Sequence, residues 1–91
     1  MNESQPARLL AEIKANPPNE NNAKGTKPLA DRVLPATREQ LEGFIAANCA
    51  ILGLHNGQPD KLAMTEHMLI LILMLNYHAV MKWAELDPAH N

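Results

Sequence analysis

Met68-Leu69-Ile70-Leu71-Ile72-Leu73-Met74-Leu75 is apolar at every position. It sits inside a longer segment that opens at Pro59-Asp60 and stops before Asp87-Pro88. Proline suits the first helical position, and an acidic residue suits the positive end of the helix dipole. The spacing therefore predicts one long helix over 60–86. At 100° per residue, Leu62, Leu69, Leu73, Val80 and Ala84 make one face, with Ile70, Met74 and Met81 beside it. Met64, Met68, Leu71 and Leu75 fall on the opposite side. A helix that is apolar all round is buried all round.

Upstream, Thr37-Arg38-Glu39-Gln40 fits a capping box, with Thr37 as N-cap and Gln40 reaching back. Leu41, Phe44, Ile45, Asn48 and Leu52 follow at helical spacing, and Gly53 is the expected stop. Helices 38–53 and 60–86, joined by a short loop, predict an antiparallel helical hairpin. Their lengths would be about 24 Å and about 40 Å. The longer helix then overhangs with Tyr77, Val80, Met81 and Trp83 and needs a cover. One hairpin cannot bury a helix on all sides, so the expected assembly is a homodimeric helical bundle. Met68, Leu71, Ile72 and Leu75 are the expected interface between protomers.

Residues 1–15 read as a short helix capped by Ser4, with Pro6 in its first turn and Leu9, Leu10 and Ile13 as an apolar stripe. Asn16-Pro17-Pro18 ends it. Residues 16–36 are polar and rich in helix breakers, which predicts a flexible, disordered linker. The expected organisation is thus an N-terminal helix (1–15), a linker (16–36) and a hairpin (37–87). The whole is an all-α fold.

Composition sets the outer bounds. The chain has 91 residues, 46% hydrophobic but only 3% aromatic, namely Phe44, Tyr77 and Trp83. A core of Leu, Ile, Met and Ala favours helices over strands. Eight Lys+Arg against ten Asp+Glu give a net charge of −2, with the cations dispersed among the acids. No phosphate-tracking stripe results, so no nucleic-acid partner is expected. Cys49 is the single cysteine, which rules out an intrachain disulfide or a Cys-based zinc site and suits a reducing, cytoplasmic location. Residues 1–8 carry no apolar run of the signal-peptide kind. A membrane span over 62–81 is not expected, because Thr65, Glu66, His67, Asn76, Tyr77 and His78 interrupt the window.

Few residues suggest chemistry. His67 and His78 are eleven apart and share a helix face. At about 16 Å separation they cannot share one metal within a protomer. They could meet across an antiparallel dimer, but the simpler reading is a solvent-facing polar stripe. Cys49 has Ile45, Ala46, Leu52 and Gly53 for helix neighbours, none of them a base, so it reads as a small buried hydrophobe. Glu66 and Tyr77 could line a ligand pocket or edge an interface. Asn48 lies within the apolar face, where a buried amide needs a partner and can fix register. No P-loop, glycine-rich dinucleotide turn, Ser-His-Asp order or CxxC is present.

The expectation is a non-enzymatic interaction protein with no cofactor and no metal. It would bind and inhibit or regulate a protein partner. Leu9, Leu10, Ile13, Tyr77, Met81 and Trp83 are the expected partner-binding residues. Phage-type and anti-activator-type accessory factors are analogous in size alone. The alternatives are a small-molecule binder with its site between protomers and, third, a membrane-associated accessory peptide.

Overall fold

Ser4, Asn19, Thr37 and Thr65 start the four helices of the computed structural model, which describes residues 4–57 and 65–87. The helices are α1 (Gln5–Ala15), α2 (Glu20–Val33), α3 (Arg38–Gly57) and α4 (Glu66–Glu85). The first N–H groups of a helix have no partner inside it, and these side chains supply one. Ser4 Oγ accepts from Ala7 N at 3.3 Å, Thr37 Oγ1 from Gln40 N at 3.1 Å and Thr65 Oγ1 from Met68 N at 3.1 Å. Asn19 Oδ1 accepts from Asn21 N at 2.8 Å and from Asn22 N at 3.2 Å. The described residues are all-α, with a Cα radius of gyration of 13.3 Å.

Three boundaries differ from the sequence expectation. The long helix does not run unbroken from residue 60. Thr65 is extended (φ −75°, ψ 161°), and α4 begins after it at Glu66. A β-branched hydroxyl followed by an acidic residue is itself a start signal, and it prevails over the apolar pattern around it. The Pro59-Asp60 opening lies outside the described residues, as does Gln58 of the expected loop 54–58, whose other four residues belong to α3. At the other boundary, α3 continues past Gly53 to Gly57. A Cβ built on Gly53 would meet nothing within 4 Å, and no described glycine has a positive φ. Gly53 is therefore an ordinary helical residue that lacks a side chain. Gly53→Ala should stabilise the fold by about 0.5–1 kcal/mol in a denaturant melt.

The largest difference is α2. Residues 16–36 were expected to be a flexible linker, yet Glu20–Val33 is a helix of 14 residues. Its start is set by the Asn19 side chain with Glu20 in the first turn. Two i,i+4 ion pairs run along it, Glu20–Lys24 at 3.0 Å and Lys27–Asp31. Each such pair adds only about 0.2–0.5 kcal/mol. Against them stand Gly25 and Pro28, which cost about 1 and about 3 kcal/mol relative to alanine in a helix interior. Local terms alone leave α2 unstable. Packing against α4, where Ala30 is fully buried, offsets the deficit.

The core is small. Leu41 and Ile45 of α3 meet Ala79, Val80 and Trp83 of α4. Arg38 sits beside Trp83 and Asn48 beside Asn76, so α3 and α4 run in opposite directions. From α1, Ala7, Leu9, Leu10 and Ile13 close over this cluster within the same chain. Arg38 fastens the far end. Its guanidinium lies 3.8 Å from the centre of the Trp83 ring, and its Nε donates to the Trp83 carbonyl at 3.1 Å. Its Nη2 is 3.5 Å from Asp87 Oδ2. The cation thus lies against the negative end of α4, where a helix favours positive charge.

Candidate functional site

α4 is wrapped unevenly, and the uncovered part is the candidate site. In its second half, Asn76, His78, Ala79, Val80 and Trp83 are buried by the other three helices. In its first half the cover thins. Met68 is 46% exposed, Ile70 38% and Leu73 47%. Ile51 of α3 is exposed as well. Ile70, Leu73 and Tyr77 follow one another at three and four residues, so they form one stripe along the helix. Clustered large apolar side chains left in water are a feature that monomers avoid.

The expected partner-binding residues are distributed differently. Leu9, Leu10 and Ile13 are partly buried against their own chain's core, and Trp83 is buried beneath them. The N-terminal helix therefore covers the Trp83 end of α4 in cis. Tyr77 and Met81 are half-buried beside α2. Of the expected interface residues, Met68 is exposed while Leu71, Ile72 and Leu75 are half-buried. Sequence reasoning did not single out Ile70 and Leu73 as the apolar residues left exposed. Once every position of a run is apolar, periodicity cannot say which face neighbours will leave bare.

Two amides inside the packing pair with each other, whereas Trp83 Nε1 is buried without a hydrogen-bond partner among the described residues. Asn48 Nδ2 donates to Asn76 Oδ1 at 3.5 Å, and Asn76 Nδ2 donates to Cys49 Sγ at 3.7 Å. A one-turn slip of α3 along α4 would leave the buried Asn76 amide without its half-buried partner Asn48, so the pair resists that slip. Cys49 is half-buried and a free thiol.

The two helical histidines part company. His67 is exposed, whereas His78 is 8% exposed. The solvent-facing stripe expected for both does not hold, because α2 packs over His78. His78 Nε2 lies 3.0 Å from the Ala23 carbonyl and 3.0 Å from Thr26 Oγ1, both on α2. Burial pushes the ring below its ordinary pKa of 6.5. The Ala23 hydrogen bond opposes that shift, Lys27 adds to it, and Asp31 opposes it. Tyr77 meets the same ring edge-on, with centroids 5.1 Å apart.

The exposed part of the site is apolar contact surface. Among the described residues, no three His, Cys, Asp or Glu side chains are grouped to hold a metal ion. The hollow between α2 and α4 lined by Lys27, Asp31, His78, Lys82 and Glu85 measures about 190 Å³. A second hollow between the same helices, lined by Ala23, Lys24, Tyr77 and Met81 together with Lys27, His78 and Glu85, measures about 310 Å³, at the lower end of the range for ligand pockets, which starts at about 300 Å³. By length and composition α4 could also cross a membrane, with 33% of that window buried inside the fold. Compared with known proteins, the chain matches no family model, no curated protein and no solved structure.

Proposed function

We propose that this chain is a small non-enzymatic interaction protein. It pairs with a second copy of itself and binds, and by binding inhibits or regulates, a protein partner in the cytoplasm. The observation that carries the reading is the bare apolar stripe on the first half of α4, with Ile70 and Leu73 each more than a third exposed. In this reading α4 is the shared helix of a homodimeric bundle of hairpins rather than a membrane span. Buried Asn76 and His78 in its second half support that choice, since both find their hydrogen bonds within the protein.

Affinity capture of the full chain from its host tests the partner. The same capture is run with a variant carrying Ile70→Glu and Leu73→Glu. The reading predicts one stoichiometric protein that recognises the paired form of the chain, so that the variant, which cannot pair, fails to retain it. A partner held equally by both chains would contradict the site. Recovery of the chain in the detergent fraction would contradict the assignment of α4.

A further inference from the structure

α2 is the helix least able to stand alone, and one α4 side chain makes the described hydrogen bonds that attach it. It carries Gly25 and Pro28 in its interior, and isolated helices of this length are marginal even with good sequences. Its buried residue is Ala30. None of its side chains belongs to the Leu41–Ile45–Ala79–Val80–Trp83 cluster that joins α1, α3 and α4. What ties it to α4 by hydrogen bonds is His78, through Ala23 O and Thr26 Oγ1.

We propose that α2 is a strap latched to α4 through the His78 ring, and that mild acidification opens the latch while α1, α3 and α4 stay together. The proton positions follow from the partners. The Ala23 carbonyl can only accept, so Nε2 carries the hydrogen. The Thr26 hydroxyl gives its own proton to the Asn22 carbonyl, 2.9 Å away, and its oxygen can share the Nε2–H. Protonation therefore adds an Nδ1–H and a full charge to a ring that is 8% exposed, without adding a bond to α2.

The charged groups around the ring come from both helices. Lys24, Lys27 and Asp31 stand on the α2 side, and Lys82 and Glu85 stand on α4 beside Tyr77. Of the two acids, Asp31 is the one whose charge favours the protonated ring, and it is already paired with Lys27, while Glu85 is exposed to water at the edge of the same hollows. The sign follows from the lowered pKa. Docking is at full strength above the ordinary histidine value of 6.5, where the ring is neutral whether docked or free. It weakens as pH falls below that value and the released ring takes up a proton more readily than the docked one.

Opening has a structural consequence. Asn21, Asn22, Gly25 and Thr26 of α2 share a hollow of about 250 Å³ with His67, Ile70 and Leu71 of α4. Removing α2 would lengthen the apolar face at Ile70 and Leu71. The latch does not require that this face has a partner.

The test is an NMR titration of the full chain from about pH 7.5 to about pH 5, following Cα secondary shifts and the histidine rings together. Residues 20–33 should lose at least half of their helical shifts with the midpoint of the His78 ring, while α3 and α4 keep theirs. His67→Gln should leave the transition in place. Gly25→Ala, whose Cβ meets nothing within 4 Å, should strengthen α2 and move the transition to lower pH. His78→Gln should abolish the coupling between α2 and pH. The proposal is overturned if residues 20–33 stay helical to the end of the titration, or if all four helices melt together. A transition that persists in His78→Gln also overturns it.

Discussion

Ile45→Ala should remove about 2–5 kcal/mol of stability, the range for truncating a large aliphatic side chain in a core. Ile45 is fully buried and touches the cluster that joins α3 to α4. Among the described residues, the largest side chains wholly removed from water are Leu41, Ile45 and Val80. A core of this size has little else to absorb the loss, and small domains hold only about 5–15 kcal/mol in total. Chemical denaturation should therefore show a large drop in midpoint or a chain already partly unfolded in buffer. A loss below about 0.5 kcal/mol, the level of an ordinary surface change, would place the core elsewhere.

How much of this was legible depended on which residues carried the signal. The all-α class follows from the Leu, Ile, Met and Ala content and from caps that can be read directly, Ser4 and Thr37 among them. The α3–α4 packing shows why Asn48 sits in an apolar face: its partner is Asn76, 28 residues away, which no local pattern reveals. α2 was not legible as a helix because Gly25 and Pro28 dominate any local reading. The signals in its favour, Asn19 with Glu20 and the pairs Glu20–Lys24 and Lys27–Asp31, were present but individually weak. Its stability is tertiary, through Ala30 and His78, and propensity does not contain that information. For the same reason His78 looked like His67. The difference between them is a neighbour that the sequence did not announce.

The candidate site shows the opposite problem. Met68–Leu75 has too much hydrophobicity for pattern to choose a face. Packing chose instead: it leaves Leu71, Ile72 and Leu75 half-buried, and Ile70 and Leu73 exposed. The N-terminal stripe of Leu9, Leu10 and Ile13 was readable as amphipathic. That its docking site lies in the same chain, on the α3–α4 cluster, is a tertiary fact that the stripe itself does not contain.

The variant with Ile70→Glu and Leu73→Glu should weaken self-association by at least about 100-fold while leaving the monomer folded. Each exposed side chain offers roughly 1 kcal/mol of further apolar burial, a fraction of the value for full transfer. In a two-fold assembly each substitution occurs twice, so four carboxylates would enter an apolar contact. Burying an unpaired charge costs several kcal/mol, and this penalty outweighs the lost burial. Glutamate is a good helix former, so α4 itself should persist. Circular dichroism should be unchanged while the dissociation constant rises. If both helicity and association are lost, these positions are part of the monomer core.

Sedimentation equilibrium of the full chain at micromolar concentration tests the central claim most directly. The proposed pairing along α4 predicts a species of about twice the 10.0 kDa chain mass, dissociating on dilution and reduced to the single-chain mass by the double glutamate variant. A wild-type chain that stays at 10.0 kDa across the concentration range, with a melting temperature independent of concentration, would contradict it.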